Sequence, residues 1–179
     1  MGSIHDVVSE IISILNTDIS DPNSTRLAKG LNWIYDDIPR TSLSAPNYPR
    51  ISVVSFGAPS TPHNLCSNEQ RVNVRTEIQV RVRRGKWGSQ SPQQFLDDLS
   101  FDVLSAMANI DNRAQLLANT DVFQSVLEAE NTIYEDDVII RQLIYKNVMV
   151  RNFNQYEAVT DSDLEALYDS DGEQLQVRI

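Results

Sequence analysis

From residue 71 to residue 84 the chain reads RVNVRTEIQVRVRR and alternates between two kinds of side chain. Val72, Val74, Thr76, Ile78, Val80 and Val82 fall on one side. Arg71, Asn73, Arg75, Glu77, Gln79, Arg81 and Arg83 fall on the other. A period of two marks a strand with one core face and one polar face. At ~3.4 Å per residue the run spans about 45 Å. Residues 50–56, RISVVSF, predict a shorter strand pairing antiparallel with it. The long strand then projects past its partner as a hairpin arm. Residues 138–151, VIIRQLIYKNVMVR, predict another long strand. It is apolar on both faces, as expected of a central strand covered on both sides.

Helical spacing appears twice. Ile4, Val8, Ile11 and Leu15, with Val7 and Ile14 beside them, predict a first helix that Ser3 caps and residues 16–18 end. Ser91-Pro92-Gln93-Gln94 is a helix start with an N-cap serine, proline at the first position and glutamine at the third. The helix runs to about Ala108, with Leu96, Leu99, Val103, Met107 and Ile110 as its buried stripe and Asp97, Asp98 and Asp102 facing away. Residues 17–30 read as a polar loop. Residues 31–49, with Trp33, Tyr35, Tyr48 and three prolines, read as an extended connector with aromatic anchors. A loop follows residue 56 as far as Gln70, and Gly85 to Ser89 make the turn out of the long strand. Residues 113–118 and 122–129 fit short helices or strand fragments equally. A short acidic helix is expected over 161–168, and a terminal strand over 175–179.

The pattern defines an α+β fold: a mainly antiparallel sheet with a long hairpin, flanked by helices. At 179 residues the chain is the size of one domain. We assign residues 1–151 to that domain and 152–179 to an acidic C-terminal extension. No apolar run approaches the ~18 residues of a membrane span, and the opening residues lack a secretory signal's basic region. A single cysteine excludes an internal disulfide.

Charge changes the picture. The net charge is −10, but it is unevenly placed. Residues 1–90 hold 10 Lys+Arg against 8 Asp+Glu, and residues 91–179 hold 5 against 17. Between 71 and 90 the chain carries five Arg, one Lys and one Glu. Such asymmetry calls for a charged partner surface or another copy of the chain.

Candidate chemistry is sparse. His63 and Cys66 suit half a zinc site, but the only other histidine is His5 in the first helix. Asp161, Asp163 and Glu165 imitate a calcium loop, with Ala166 where its glycine belongs. The pairs Asp36-Asp37, Asp97-Asp98 and Asp136-Asp137 show no convergence of the glycosidase kind. Asn23-Ser24-Thr25 is a glycosylation sequon, a pattern common by chance. No glycine-rich phosphate loop is present. The expectation is a non-enzyme with no cofactor and no metal.

The basic strand remains. Arg71, Arg75, Arg81, Arg83 and Arg84, with Lys86 and Trp87 at the turn, form a row too one-signed for an ordinary solvated face of an acidic chain. Arginine pairs bidentately with carboxylates and tolerates interface burial. The row is read first as a subunit interface, meeting the carboxylates of residues 128–137 or 161–173 in the next copy and closing into a ring. The alternative is a nucleic-acid-binding module in which the same residues hold phosphates. On the interface reading, Trp87 is exposed in a monomer and anchors a neighbour.

The order of elements resembles the tail-terminator and tail-completion proteins of long-tailed phages and archaeal tailed viruses. Residues 4–15, the stretch Asn47-Tyr48-Pro49-Arg50-Ile51-Ser52-Val53, residues 76–84 followed by Trp87, residues 91–110 and residues 138–150 carry the likeness. The resemblance implies an α+β domain that assembles as a hexameric ring at the head-proximal end of the tail tube. It implies a virion location in the tail or neck after assembly in the host cytoplasm. Tail tube and neck or connector proteins are the implied partners, with genome DNA passing through the lumen without specific binding. Related folds serve in other neck and baseplate components. Residues 152–179 lie outside the resemblance.

Overall fold

In a computed structural model, which describes residues 4–39, 43–57, 61–62, 69–85 and 87–152, the alternating run becomes the spine of a sheet. The chain order is α1 (Ile4–Asp18), α2 (Ser24–Ala28), β1 (Ile34–Tyr35), a single 3-10 turn (Ala45–Asn47), β2 (Arg50–Gly57), β3 (Thr61–Pro62), β4 (Glu69–Arg83), α3 (Pro92–Ala108), α4 (Ile110–Thr120), β5 (Val122–Tyr134) and β6 (Val138–Asn152). The strands lie in the order β1-β2-β4-β6-β5, and β3 pairs with β4. The sheet is mixed: β1 runs parallel to β2, while β2–β4, β3–β4, β4–β6 and β5–β6 are antiparallel. The fold is α+β.

Strand β4 has the predicted faces. Val72, Val74, Thr76, Ile78, Val80 and Val82 are all buried. They meet Leu96, Leu99, Val103 and Met107 of α3, and Val7, Ile11, Ile14 and Leu15 of α1, in one core. Thr76 sits in that core because its hydroxyl is satisfied twice: the Asn147 side-chain amide donates to it at 2.7 Å, and Ser55 Oγ lies 2.7 Å away. Helix α3 begins as read. Ser91 Oγ accepts from the Gln94 backbone N–H, and Gln94 Oε1 accepts from the Ser91 backbone N–H, each at 3.2 Å.

Several expectations are corrected. The stripe of α3 stops at Met107. Asn109 leaves helical geometry (φ −59°, ψ 131°), and Ile110, 79% exposed, opens α4 instead. The polar loop over 17–30 contains α2, capped by Asn23 Oδ1, which accepts from the Arg26 N–H at 3.1 Å. Asn23 of the sequon therefore acts as a cap. The loop after β2 contains β3, and β4 starts at Glu69. The connector over 31–49 carries strand β1, although Trp33 and Tyr48 are buried anchors as expected. The open stretch 109–135 resolves into α4 and β5.

The long strand does outreach β2, which pairs with residues 74–81 only. It is no free arm, because β6 covers its other side from Glu69 to Arg83. The longest hairpin is β5–β6, turned by Glu135, Asp136 and Asp137. Ser3, His63, Cys66, Lys86 and residues 153–179 lie outside the described residues, and with them the two C-terminal elements and the calcium-like run.

Candidate subunit interface

The helices cover one face of the sheet. The other face carries the basic row, and the connector before β2 packs on part of that face. Tyr48 packs on Val138 and Ile140, with Leu43 and Trp87 against them, and so covers one end. A buried clamp holds the connector in place. The Arg26 guanidinium donates to both Asp21 oxygens (Nε to Oδ2 at 2.5 Å, Nη2 to Oδ1 at 2.7 Å) and to the Pro49 carbonyl at 2.8 Å. Arg26 and Asp21 are each 6% exposed. A pair this deep must be fully satisfied to persist, and here the guanidinium fork is.

The basic row is broken up by this cover. Arg81, beneath the connector, is 6% exposed and donates from Nε and Nη2 to Gln79 Oε1 at 2.9 and 2.7 Å. Gln79 and Gln142 both donate to Glu77 Oε1, which extends the chain of bonds across the sheet. Arg81 stands directly opposite Arg50 in the register. Burial pushes its guanidinium down from the ordinary value, and Glu135 pulls in the opposite direction. Arg50 is itself occupied, bonded to Asp37 and Ser52, with its guanidinium 3.7 Å from the Tyr35 ring centroid.

Arg75, Arg83 and Arg84 are exposed, and Arg71 is half-buried with its guanidinium 6.0 Å from the Phe123 ring. Charge complementarity is partly used up inside one chain. Arg75 Nε lies 3.8 Å from Glu128 Oε2, while the Arg84 guanidinium lies 5.9 Å from the Tyr134 ring centroid. Trp87 is corrected from an exposed anchor to a half-buried one. Its ring stacks on Phe95 (centroids 4.7 Å apart, planes 5° apart), and its indole N–H donates to the Arg83 carbonyl at 3.0 Å. The backbone pair between Trp87 and Gln90, with Gly88 at φ +63°, folds the turn so that the indole meets α3.

Exposed apolar side chains gather instead along the edge strand β5, on both of its faces. Phe123, Val126, Leu127, Ile133 and Tyr134 are each at least 38% exposed, as are Ile110 and Leu117 on the neighbouring α4. Between α4 and β5 runs a groove of about 450 Å³, lined mainly by Ile110, Arg113, Leu117, Phe123, Gln124 and Val126. Sequence reasoning passed over this surface. Its available signal was a run of five large apolar residues between 123 and 134 with neither lysine nor proline among them.

Among the described residues, no group of three or more His, Cys, Asp or Glu is placed to hold a metal ion. Nor is any described helix long and apolar enough to cross a membrane. Of the pair Asp97-Asp98, Asp97 binds Arg141 of β6 while Asp98 accepts from the Gln90 side-chain amide at 2.6 Å, so the two carboxylates turn to separate partners. No protein-family model matches the chain, and no curated protein matches it.

Proposed function

We propose that this chain is a non-enzymatic structural component of a virion: a ring-forming tail terminator or tail-completion protein at the head–tail junction. Six copies close into a ring that caps the tail tube, stops the addition of tube subunits and offers a surface to the neck. The genome passes through the lumen. The work is geometric and needs no cofactor.

The observation that carries this reading is the exposed apolar strand β5 with the neighbouring Ile110 and Leu117. A soluble domain rarely leaves a long apolar sheet edge open, because it is a template for another chain. The order of elements, which resembles the tail-terminator family, adds the kind of assembly. The nucleic-acid-binding reading has less support. It needs a continuous basic row, whereas Arg81 is buried and Arg75 already faces Glu128.

Light scattering and native mass spectrometry over a concentration series, with and without duplex DNA, test the reading. The expected result is a discrete particle of six 20.2-kDa chains whose formation is indifferent to DNA. A monomer at every concentration that binds DNA with a steep salt dependence favours the alternative.

A further inference from the structure

We infer that the two open edges of the sheet are the two halves of one contact: β5 of one copy adds antiparallel to residues 53–57 of β2 in the next copy. This deepens the ring reading and rests on it for the head-to-tail order.

Among the described residues, strand β5 pairs with a strand on one side only, and on β5 the Ser125 carbonyl accepts from Arg113 Nη2 at 3.3 Å. Its register with β6 breaks at Val122/Gln124 and again at Leu127/Ala129, and is then regular from Ala129 to Tyr134. Those six residues present a regular row of backbone groups, with no proline, glycine or basic residue to protect the edge. At the far side of the sheet, β1 covers only Ile51 and Ser52 of β2. Among the described residues, 53–57 have no strand on that side. An open stretch of five residues thus matches an open stretch of six.

Directions agree as well. Each of the steps β2–β4, β4–β6 and β6–β5 is antiparallel, so β5 runs opposite to β2. A second copy laid alongside in the same orientation brings its β2 antiparallel to β5, with both helix layers on the same face. The two surfaces differ, so the contact repeats from copy to copy until it closes. Side chains suit the seam. Val126 and Ile133 on β5 share the outer face with Val54 and Phe56 on β2; Phe56 is 52% exposed.

Charge separates this contact from self-pairing of β5. The strand carries Glu128 and Glu130 and no cation, so a two-fold pair of β5 strands sets like charges together. Residues 53–57 carry no carboxylate, and the exposed Arg75 stands opposite Phe56 in the register.

The test uses Cys66→Ser chains, which remove the native thiol, carrying Val54→Cys, Ile133→Cys or both, treated with a short bis-maleimide. The double variant should give a covalent ladder of chains, and neither single variant should cross-link. Val126→Lys with Ile133→Lys, both at exposed positions, should keep the melting temperature within about 2 °C while weakening association about tenfold or more. A cross-linked dimer from Ile133→Cys alone overturns the proposal, because β5 then pairs with itself. A ring that forms normally with both lysines, without cross-linking in the double-cysteine chain, overturns the edge assignment and leaves the ring reading standing. A chain that stays monomeric, even with tail tubes present, overturns both.

Discussion

Replacing Trp87 with alanine should destabilise the domain itself. The indole touches both apolar clusters, one on each face of the sheet, so it ties the end of β4 to the start of α3. Its parallel stack on Phe95 contributes about 0.5–1.5 kcal/mol. Its N–H bond to the Arg83 carbonyl contributes about 0.5–1 kcal/mol net. Fully buried Trp→Ala changes cost about 3–5 kcal/mol, and half burial reduces the burial part to about half of that. These contributions overlap, and the sum is about 2–4 kcal/mol. For a chain of this size that is a fall of about 5–12 °C in melting temperature. Trp87→Phe keeps a ring on Phe95 and loses the N–H bond, so it should cost about 1 kcal/mol. Urea denaturation followed by far-UV circular dichroism measures both, at concentrations where no assembly occurs. A Trp87→Ala domain within about 0.5 kcal/mol of the parent refutes the reasoning. So does an alanine variant that folds normally and loses only assembly, since the indole would then serve a neighbour first.

Asp21→Ala should cost about 3–5 kcal/mol in urea titrations, because it strands the buried Arg26 cation; adding Arg26→Met should recover part of the loss. Thr76→Val should cost about 1–3 kcal/mol by the same measurement, since Asn147 loses its acceptor inside the core. Burial pushes the Tyr145 phenol up to about 12, with Arg113 opposing and Glu130 adding to the rise. A folded-state value above the unfolded one favours the protonated form. That stability is therefore whole below pH ~10 and lost as pH rises from about 10 to 12, on the order of 3 kcal/mol. Urea midpoints between pH 8 and 12 should fall less steeply for Tyr145→Phe than for the parent, and equal slopes would contradict the assignment.

Legibility followed the regularity of each element's surroundings. The faces of β4 could be read because strands flank it along most of its length and no bulge interrupts its pairing with β2 or β6. Helix α3 could be read because its capping box and stripe are local. Strand β5 could not, because its two bulges switch its parity twice. Val122 faces the helices, then Ser125 and Leu127, then Glu130, Thr132 and Tyr134. No single alternation survives that. Helix α2 has five residues and buries an arginine, so it offers no apolar stripe. The basic row was legible as a set of positions and not as a surface. Arg81 is covered by the connector around Tyr48, more than thirty residues away in sequence, and no local pattern records that cover. Ile110 fitted the stripe of α3 by spacing alone, and the break at Asn109 turned it outward.

The most direct measurement is cryo-electron microscopy of tail tubes polymerised from the cognate tube protein in the presence of this chain. The account predicts tubes that stop growing with a ring of six copies seated on one end, joined copy to copy through β5. Tubes that lengthen unchecked with bare ends, while the chain remains monomeric in solution, would contradict it.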